Sequence, residues 1–227
     1  MSEITDMPGH QAGSNALDRA LAAFGRGEPI CIHDAADREG ETDLVYPAEA
    51  VTPRAVSRLR NDAGGLVCVA LDYDVAETFD LPFFTEAVDH PTTAHHDLGY
   101  DDRSSFSLTV NHRETYTGIT DDDRSLTIRE LGRAARQPHE IEFAERFRAP
   151  GHVHLLKGAP DGLDQREGHT ELGLALADSA DVPPAVVVCE MLDDESGGAM
   201  TPQDARAYAT RHDFVYIEGS EIVDGLS

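Results

Sequence analysis

The sequence predicts a single α/β domain of the α+β type, a mixed β-sheet flanked by helices. Short apolar runs such as Ala185-Val186-Val187-Val188 alternate, not strictly, with segments of helical spacing, which favours a mixed sheet over an all-parallel one. No internal repeat, low-complexity linker or composition break divides the 227 residues, a length between one and two domains at roughly 150 residues each. Several polar clusters fall just after apolar strands, where sites gather in α/β sheets.

Residues 1–13 are expected to form a mobile tail, leaving 14–227 as the domain. Ser14 reads as the N-cap of a helix carrying Leu17, Leu21 and Phe24 and stopped by Gly25. Pro29-Ile30-Cys31-Ile32-His33 reads as a short buried strand that runs into a strongly polar loop over 34–43. Thr52-Pro53 places proline at the first position of a helix over 53–61, and Gly64-Gly65 turns the chain into a strand over 66–71. Residues 72–104 are the least regular part. Within them the His95-His96 segment is expected to be a mobile loop over a site.

Residues 106–110 alternate as a strand should, and a second polar loop follows over 111–124. Ile128, Leu131 and Ala135 predict a helix over 127–136. Two further strands over 151–156 and 185–192 flank a helix over 170–179. Thr201-Pro202-Gln203-Asp204 has a capping-box pattern, and 214–217 is a last strand.

Charge narrows the function classes. Asp and Glu number 43 against 18 Lys and Arg, a net charge of −25. Such a polyanion has no field to attract nucleic acid, whose affinity rests on neutralised phosphates, and an anionic membrane repels it. The composition fits a halophile's cytosolic protein, because at 1 M salt self-repulsion is screened within about 3 Å. No stretch approaches the ~20 apolar residues that span a bilayer, and residues 1–13 lack a signal-peptide pattern. Cys31, Cys68 and Cys189 lie apart inside apolar runs, which argues for reduced, buried thiols in a cytoplasmic protein.

Five groups of residues have the types that chemistry needs. Asp37-Arg38-Glu39-Gly40-Glu41-Thr42-Asp43 sets four carboxylates and an arginine beside a buried strand, a site for a hard divalent cation or simply a solvated acidic loop. Arg166-Glu167-Gly168-His169-Thr170-Glu171 opens a helix, where free N–H groups bind phosphate; His169 is alternatively a metal ligand or a surface residue. Strand alternation puts His152 and His154 on one face as acid/base candidates. Glu190 ends an apolar strand, where a half-buried carboxyl suits proton transfer. Thr117-Gly118-Ile119-Thr120 with Asp123-Arg124 is a turn able to add hydroxyl and guanidinium contacts. No HExxH, GxSxG, Walker A or GxGxxG pattern occurs, which removes support for zincin, serine hydrolase, P-loop and dinucleotide chemistry.

In this order the segments resemble 3,4-dihydroxy-2-butanone 4-phosphate synthase of riboflavin biosynthesis. The resemblance is carried by Asp37-Arg38-Glu39-x-Glu41-x-Asp43, Thr117-Gly118-Ile119-Thr120 with Asp123-Arg124, Pro150-Gly151-His152-Val153, Gly168-His169-Thr170-Glu171 and Cys189-Glu190, with support from Leu81-Pro82 and Gly65-Leu66-Val67-Cys68. It covers roughly residues 15–222. It implies a lyase that converts ribulose 5-phosphate to 3,4-dihydroxy-2-butanone 4-phosphate and formate, with Mg²⁺ or Mn²⁺, as a homodimer.

Carried over by motif, Glu39 and His169 are the expected metal ligands, and His152, Glu190 and Glu41 the expected catalytic groups. Arg38, Glu39, Asp43, Thr120, Asp123, Arg166, His169, Thr170 and Glu190 are the expected substrate contacts. The chain departs from the family pattern at Gly40 and Thr42, where Asn and Gly are usual, at Tyr116, where Thr is common, and at Glu167, an extra acid beside the phosphate contacts. A GTP cyclohydrolase II domain, fused in some relatives, is not seen, so one activity is expected.

Overall fold

The computed structural model describes residues 11–34, 39–93 and 103–226. Within these, the strands are β1 (Ile30–His33), β2 (Thr42–Pro47), β3 (Cys68–Leu71), β4 (Phe106–His112), β5 (Phe147–Lys157), β6 (Ala185–Val188) and β7 (Val215–Glu218). The helices are α1 (Gln11–Gly25), α2 (Pro53–Arg58), α3 (Tyr73–Thr78), α4 (Phe84–Ala87), α5 (Asp121–Arg136), α6 (Phe143–Arg146), α7 (His169–Ser179), α8 (Pro202–His212) and α9 (Gly219–Leu226). The strands form one seven-stranded sheet in the order β4-β5-β3-β6-β2-β1-β7. β1 runs parallel to β7 and β3 to β5, and every other pairing is antiparallel. The sheet is mixed, as the irregular alternation of elements predicts.

The central strands are buried on both faces, and the period-2 pleat deals their side chains to two cores. Cys31, Leu44, Tyr46, Val69, Leu71 and Val187 pack with residues of α2, α5 and α8 on one face. Ile30, Ile32, Val45, Cys68, Ala70, Val186 and Val188 pack with residues of α1, α7 and α9 on the other. Each fully buried Val, Leu or Ile contributes about 1.5–3 kcal/mol relative to exposure, so the two helical layers clamp the sheet from both sides. Among the described residues no helix is long and apolar enough to cross a membrane.

The local signals act as expected where a cap is present. Thr52 accepts a hydrogen bond from Ala55 N, and Thr201 one from Asp204 N, each opening its helix with proline inside the first turn. Several bounds differ. α1 begins at Gln11, ahead of Ser14, so part of the expected tail is helical, and residues 1–10 lie outside the described residues. α5 begins six residues before the expected helix. Thr120 Oγ1 accepts from Asp123 N, and three acids in the first turn suit the positive end of the helix dipole. β2 has no counterpart among the expected strands, although all six of its residues are buried. α9 also goes beyond expectation.

β2 is the element that positions the site. It pairs with β1 on one side (Ile32↔Asp43, Cys31↔Leu44) and with β6 on the other (Tyr46↔Val187). That second register, continued past β6, sets Asp43 opposite Glu190 as an isolated bridge.

Candidate active site

The start of α7 lies over the same patch of sheet. His169, the first residue of that helix, brings Nδ1 to 3.6 Å from Asp43 Oδ2 and 3.7 Å from Glu39 Oε2. Asp34, at the exit of β1, accepts from Glu39 N at 3.3 Å and Glu41 N at 3.0 Å, which folds the end of the acidic loop back over the strand. Glu190 is pinned from across the sheet. Its Oε2 accepts from Leu66 N at 2.7 Å, and its backbone oxygen accepts from Gly65 N at 3.0 Å.

A cavity of about 110 Å³ opens beside this cluster, lined by Glu39, Cys68, Arg166, Thr170 and Glu190 among others. Arg166 reaches it from the turn before α7. Its Nη1 lies 2.6 Å from Glu171 Oε2, while Glu171 Oε1 accepts from Ala159 N at 3.0 Å.

Concentrating carboxylates under a helix end perturbs two of them, Asp43 and Glu41. Burial pushes the Asp43 carboxyl up to about 7, with the charges of Glu190, Glu39 and Glu41 adding to the effect and His169 opposing it. Burial also raises Glu41, again helped by Glu39 and Glu190. For His169 burial disfavours the charged form, yet Asp43, with Glu39 and Asp34, outweighs it and holds the imidazole up at about 9.

The residues fit a divalent cation. His169 Nε2 and Asp43 Oδ1 are buried without a hydrogen-bond partner. Among the described residues the ligand atoms of Asp34, Glu39 and His169 lie within 4.8 Å of one another. An imidazole with oxygen donors suits Mn²⁺ somewhat better than Mg²⁺, though both accept carboxylates.

A family model for 3,4-dihydroxy-2-butanone 4-phosphate synthase matches residues 18–224. The chain belongs to that family.

A curated synthase of Methanosarcina mazei is 46% identical over 221 residues, covering 92% of this chain and 90% of the relative. One of Methanothermobacter thermautotrophicus is 40% identical over 216 residues, covering 92% and 94%. Among solved structures, a 3,4-dihydroxy-2-butanone 4-phosphate synthase in complex with two magnesium ions superposes with a TM-score of 0.80 at 27% identity, over 92% of this chain and 95% of that one. The Candida albicans synthase superposes at 0.77 with 31% identity, over 93% and 97%. The chain is therefore a lyase of riboflavin biosynthesis, a member of the dihydroxybutanone phosphate synthase family.

Against the family motifs, the structure collects Glu39, Glu41, Asp43, Arg166, His169, Thr170 and Glu190 at the junction of β2, the segment after β6 and the start of α7. His152 is exposed on β5 beside β4, where Asn111 holds it. Thr120 and Asp123 belong with His152. Thr120 caps α5, and the Asp123 carboxylate accepts from Tyr116 N, Thr117 N and Gly118 N, so both organise the turn that packs on Asn111. Arg38 and the His95-His96 segment lie outside the described residues.

Three residues of the two groups carry no expectation from sequence. Asp34 had a signal, being the first acid after a buried strand. Glu171 had a weaker one as part of the helix-opening motif. Asn111 had none, because its partner is 41 positions away.

Proposed function

We propose that the chain converts D-ribulose 5-phosphate to 3,4-dihydroxy-2-butanone 4-phosphate and formate. The observation that carries this reading is the cavity shared by Glu39, Arg166, Thr170 and Glu190, next to a buried histidine with an unpartnered ring nitrogen. Glu39 and His169 would hold the divalent ion, Mg²⁺ or Mn²⁺, with an Asp34 carboxylate oxygen within 4.8 Å of both. When bound, the ion would supply Lewis acidity to the reaction.

The chain's own groups do the rest. Arg166 and Thr170 at the start of α7, together with Arg38 of the acidic loop, take the phosphate, where N–H groups and guanidinium favour an anion. Asp43 accepts from a sugar hydroxyl. Glu41, whose carboxyl burial raises, and Glu190, held by Leu66 N, exchange protons with the carbon skeleton. After the first proton leaves, water departs, a carbon migrates, and hydration releases formate. The water lost is the water regained, so no redox partner is needed.

His152, Thr120 and Asp123 enter the site from a second copy of the chain, which makes the working unit a homodimer. Those three residues gather around Asn111 and the turn that packs on it, which supports this division of the site between two copies. The protein works in the cytoplasm of a halophile. With a net charge of −25, salt near 1 M confines the global field to about 3 Å and leaves local contacts to bind the sugar phosphate.

The test is formate release from ribulose 5-phosphate with Mg²⁺ in concentrated KCl, with and without EDTA. Formate that depends on the metal and rises with salt supports the reading. A folded dimer that releases none defeats it.

A further inference from the structure

We propose that Asn111 holds His152 in the tautomer that carries its proton on Nε2, so that His152 serves the reaction as a hydrogen-bond donor to a substrate oxygen and not as the base that takes a carbon-bound proton. The catalytic half of this inference rests on the reading given above; the tautomer does not.

The argument starts at a backbone amide. His152 N donates to Asn111 Oδ1 at 2.8 Å. An N–H can only donate, so the amide oxygen must face it, and this decides which way round the Asn111 side chain sits. Asn111 Nδ2 then falls 3.1 Å from His152 Nδ1. The same ring nitrogen is 3.3 Å from Oδ1, which is farther and already accepts from the backbone. An amide NH₂ has no lone pair to offer, so Nδ1 must supply one. A neutral imidazole carries one ring proton, which leaves it on Nε2.

The support behind Asn111 is rigid. Asn111 is 3% exposed on β4. Gly118, at φ +89°, approaches so closely that a Cβ there would lie 2.1 Å from Asn111 Nδ2. The Asp123 carboxylate fixes that turn through the N–H groups of residues 116–118. Asn111 is therefore held from one side by a strand and from the other by a braced turn. His152 stays exposed, with Nε2 as the ring nitrogen not engaged by the amide.

This divides the labour of the first step. When the C–H bond next to the carbonyl breaks, its electron pair moves to the carbonyl oxygen and its proton must go to a base. An Nε2–H stabilises the oxygen as charge develops there without itself changing protonation. Triosephosphate isomerase uses a neutral histidine in this way. The proton then falls to a carboxylate, Glu190 or Glu41.

The experiment is ¹⁵N NMR of the imidazole nitrogens in the full-length labelled protein without substrate, with the His152 signals assigned by their loss in His152→Gln. At neutral pH an unprotonated Nδ1 and a protonated Nε2 are expected. A protonated Nδ1 overturns the proposal. Asn111→Asp replaces the NH₂ with an acceptor and should move the proton to Nδ1; a spectrum unchanged in that variant also overturns it.

The donor role is read by turnover. His152→Gln keeps an N–H donor and should release formate at least tenfold faster than His152→Ala, while equal loss in the two variants refutes donation. If the unaltered protein releases no formate, the reaction reading fails, and the tautomer still stands or falls on the spectrum.

Discussion

Gly65→Ala tests whether Glu190 must sit where the structure places it. A Cβ at position 65 would lie 2.4 Å from Glu190 Oε2, 2.5 Å from Glu190 O and 2.8 Å from Glu190 Cβ. Non-bonded carbon contacts settle at about 3.5–4.0 Å, so something must move by about 1 Å. Two hydrogen bonds hold the contact: Leu66 N to the carboxylate at 2.7 Å and Gly65 N to the backbone oxygen at 3.0 Å. A bond to a charged acceptor contributes about 1.5–3 kcal/mol and a neutral one about 0.5–1.5 kcal/mol. If the carboxylate swings away and the backbone holds, kcat/KM falls by roughly ten- to hundredfold at similar stability. If both bonds break, about 2–4.5 kcal/mol of stability goes as well.

The assay pairs formate release with the urea midpoint, with Gly198→Ala as control, where the added methyl would meet only Ser196 Oγ at 3.6 Å. Wild-type turnover together with a wild-type midpoint in Gly65→Ala would refute the reasoning, because the pinned Glu190 would then be neither present nor needed.

Glu171→Gln keeps the acceptor for Ala159 N but removes the charge facing Arg166; KM for the sugar phosphate should rise by about tenfold while kcat changes less, with about 1.5–3 kcal/mol lost in denaturant titration. Cation binding should tighten as pH rises, by up to about tenfold per unit, and level off above about 9, because the ion must displace the proton that Asp43, Glu39 and Asp34 favour on His169; an affinity flat with pH in calorimetric titration contradicts this. In EDTA the sign reverses for stability: the raised His169 contributes fully below its ordinary 6.5 and the contribution is lost as pH rises through about 9, so the melting temperature should drop there. Burial pushes Cys31 up to about 12 and raises Cys68 and Cys189 as well, so a disulfide reagent should label no thiol in the native protein and all three cysteines after denaturation.

Several features were legible in the sequence because their causes are local. Thr52-Pro53 and Thr201-Pro202 open helices, since a hydroxyl that meets an N–H three residues on needs no distant partner. Ala185 to Val188 is a buried strand, since four apolar β-formers have no other stable place. The start of α5 was legible too, in three acids after Thr120, but a polar stretch reads as a loop until the cap is seen. β2 escaped for the opposite reason. Its polar end, Thr42 and Asp43, breaks the apolar run, and only pairing with β1 and the segment after β6 makes those residues interior.

The sequence by itself determined the fold class, the net charge of −25 and the family motifs. Tertiary structure alone decided how they meet. It set Asp43 opposite Glu190 through a strand register, drew an Asp34 oxygen within 4.8 Å of Glu39 and His169 ligand atoms, and gave Glu190 a backbone donor 124 positions away. It also bound His152 to Asn111. The physical reason is range. Caps, turns and apolar periodicity are energies between neighbours in the chain, whereas burial, charge coupling and hydrogen-bond direction at a site are energies between strangers, defined only once the sheet has brought them together.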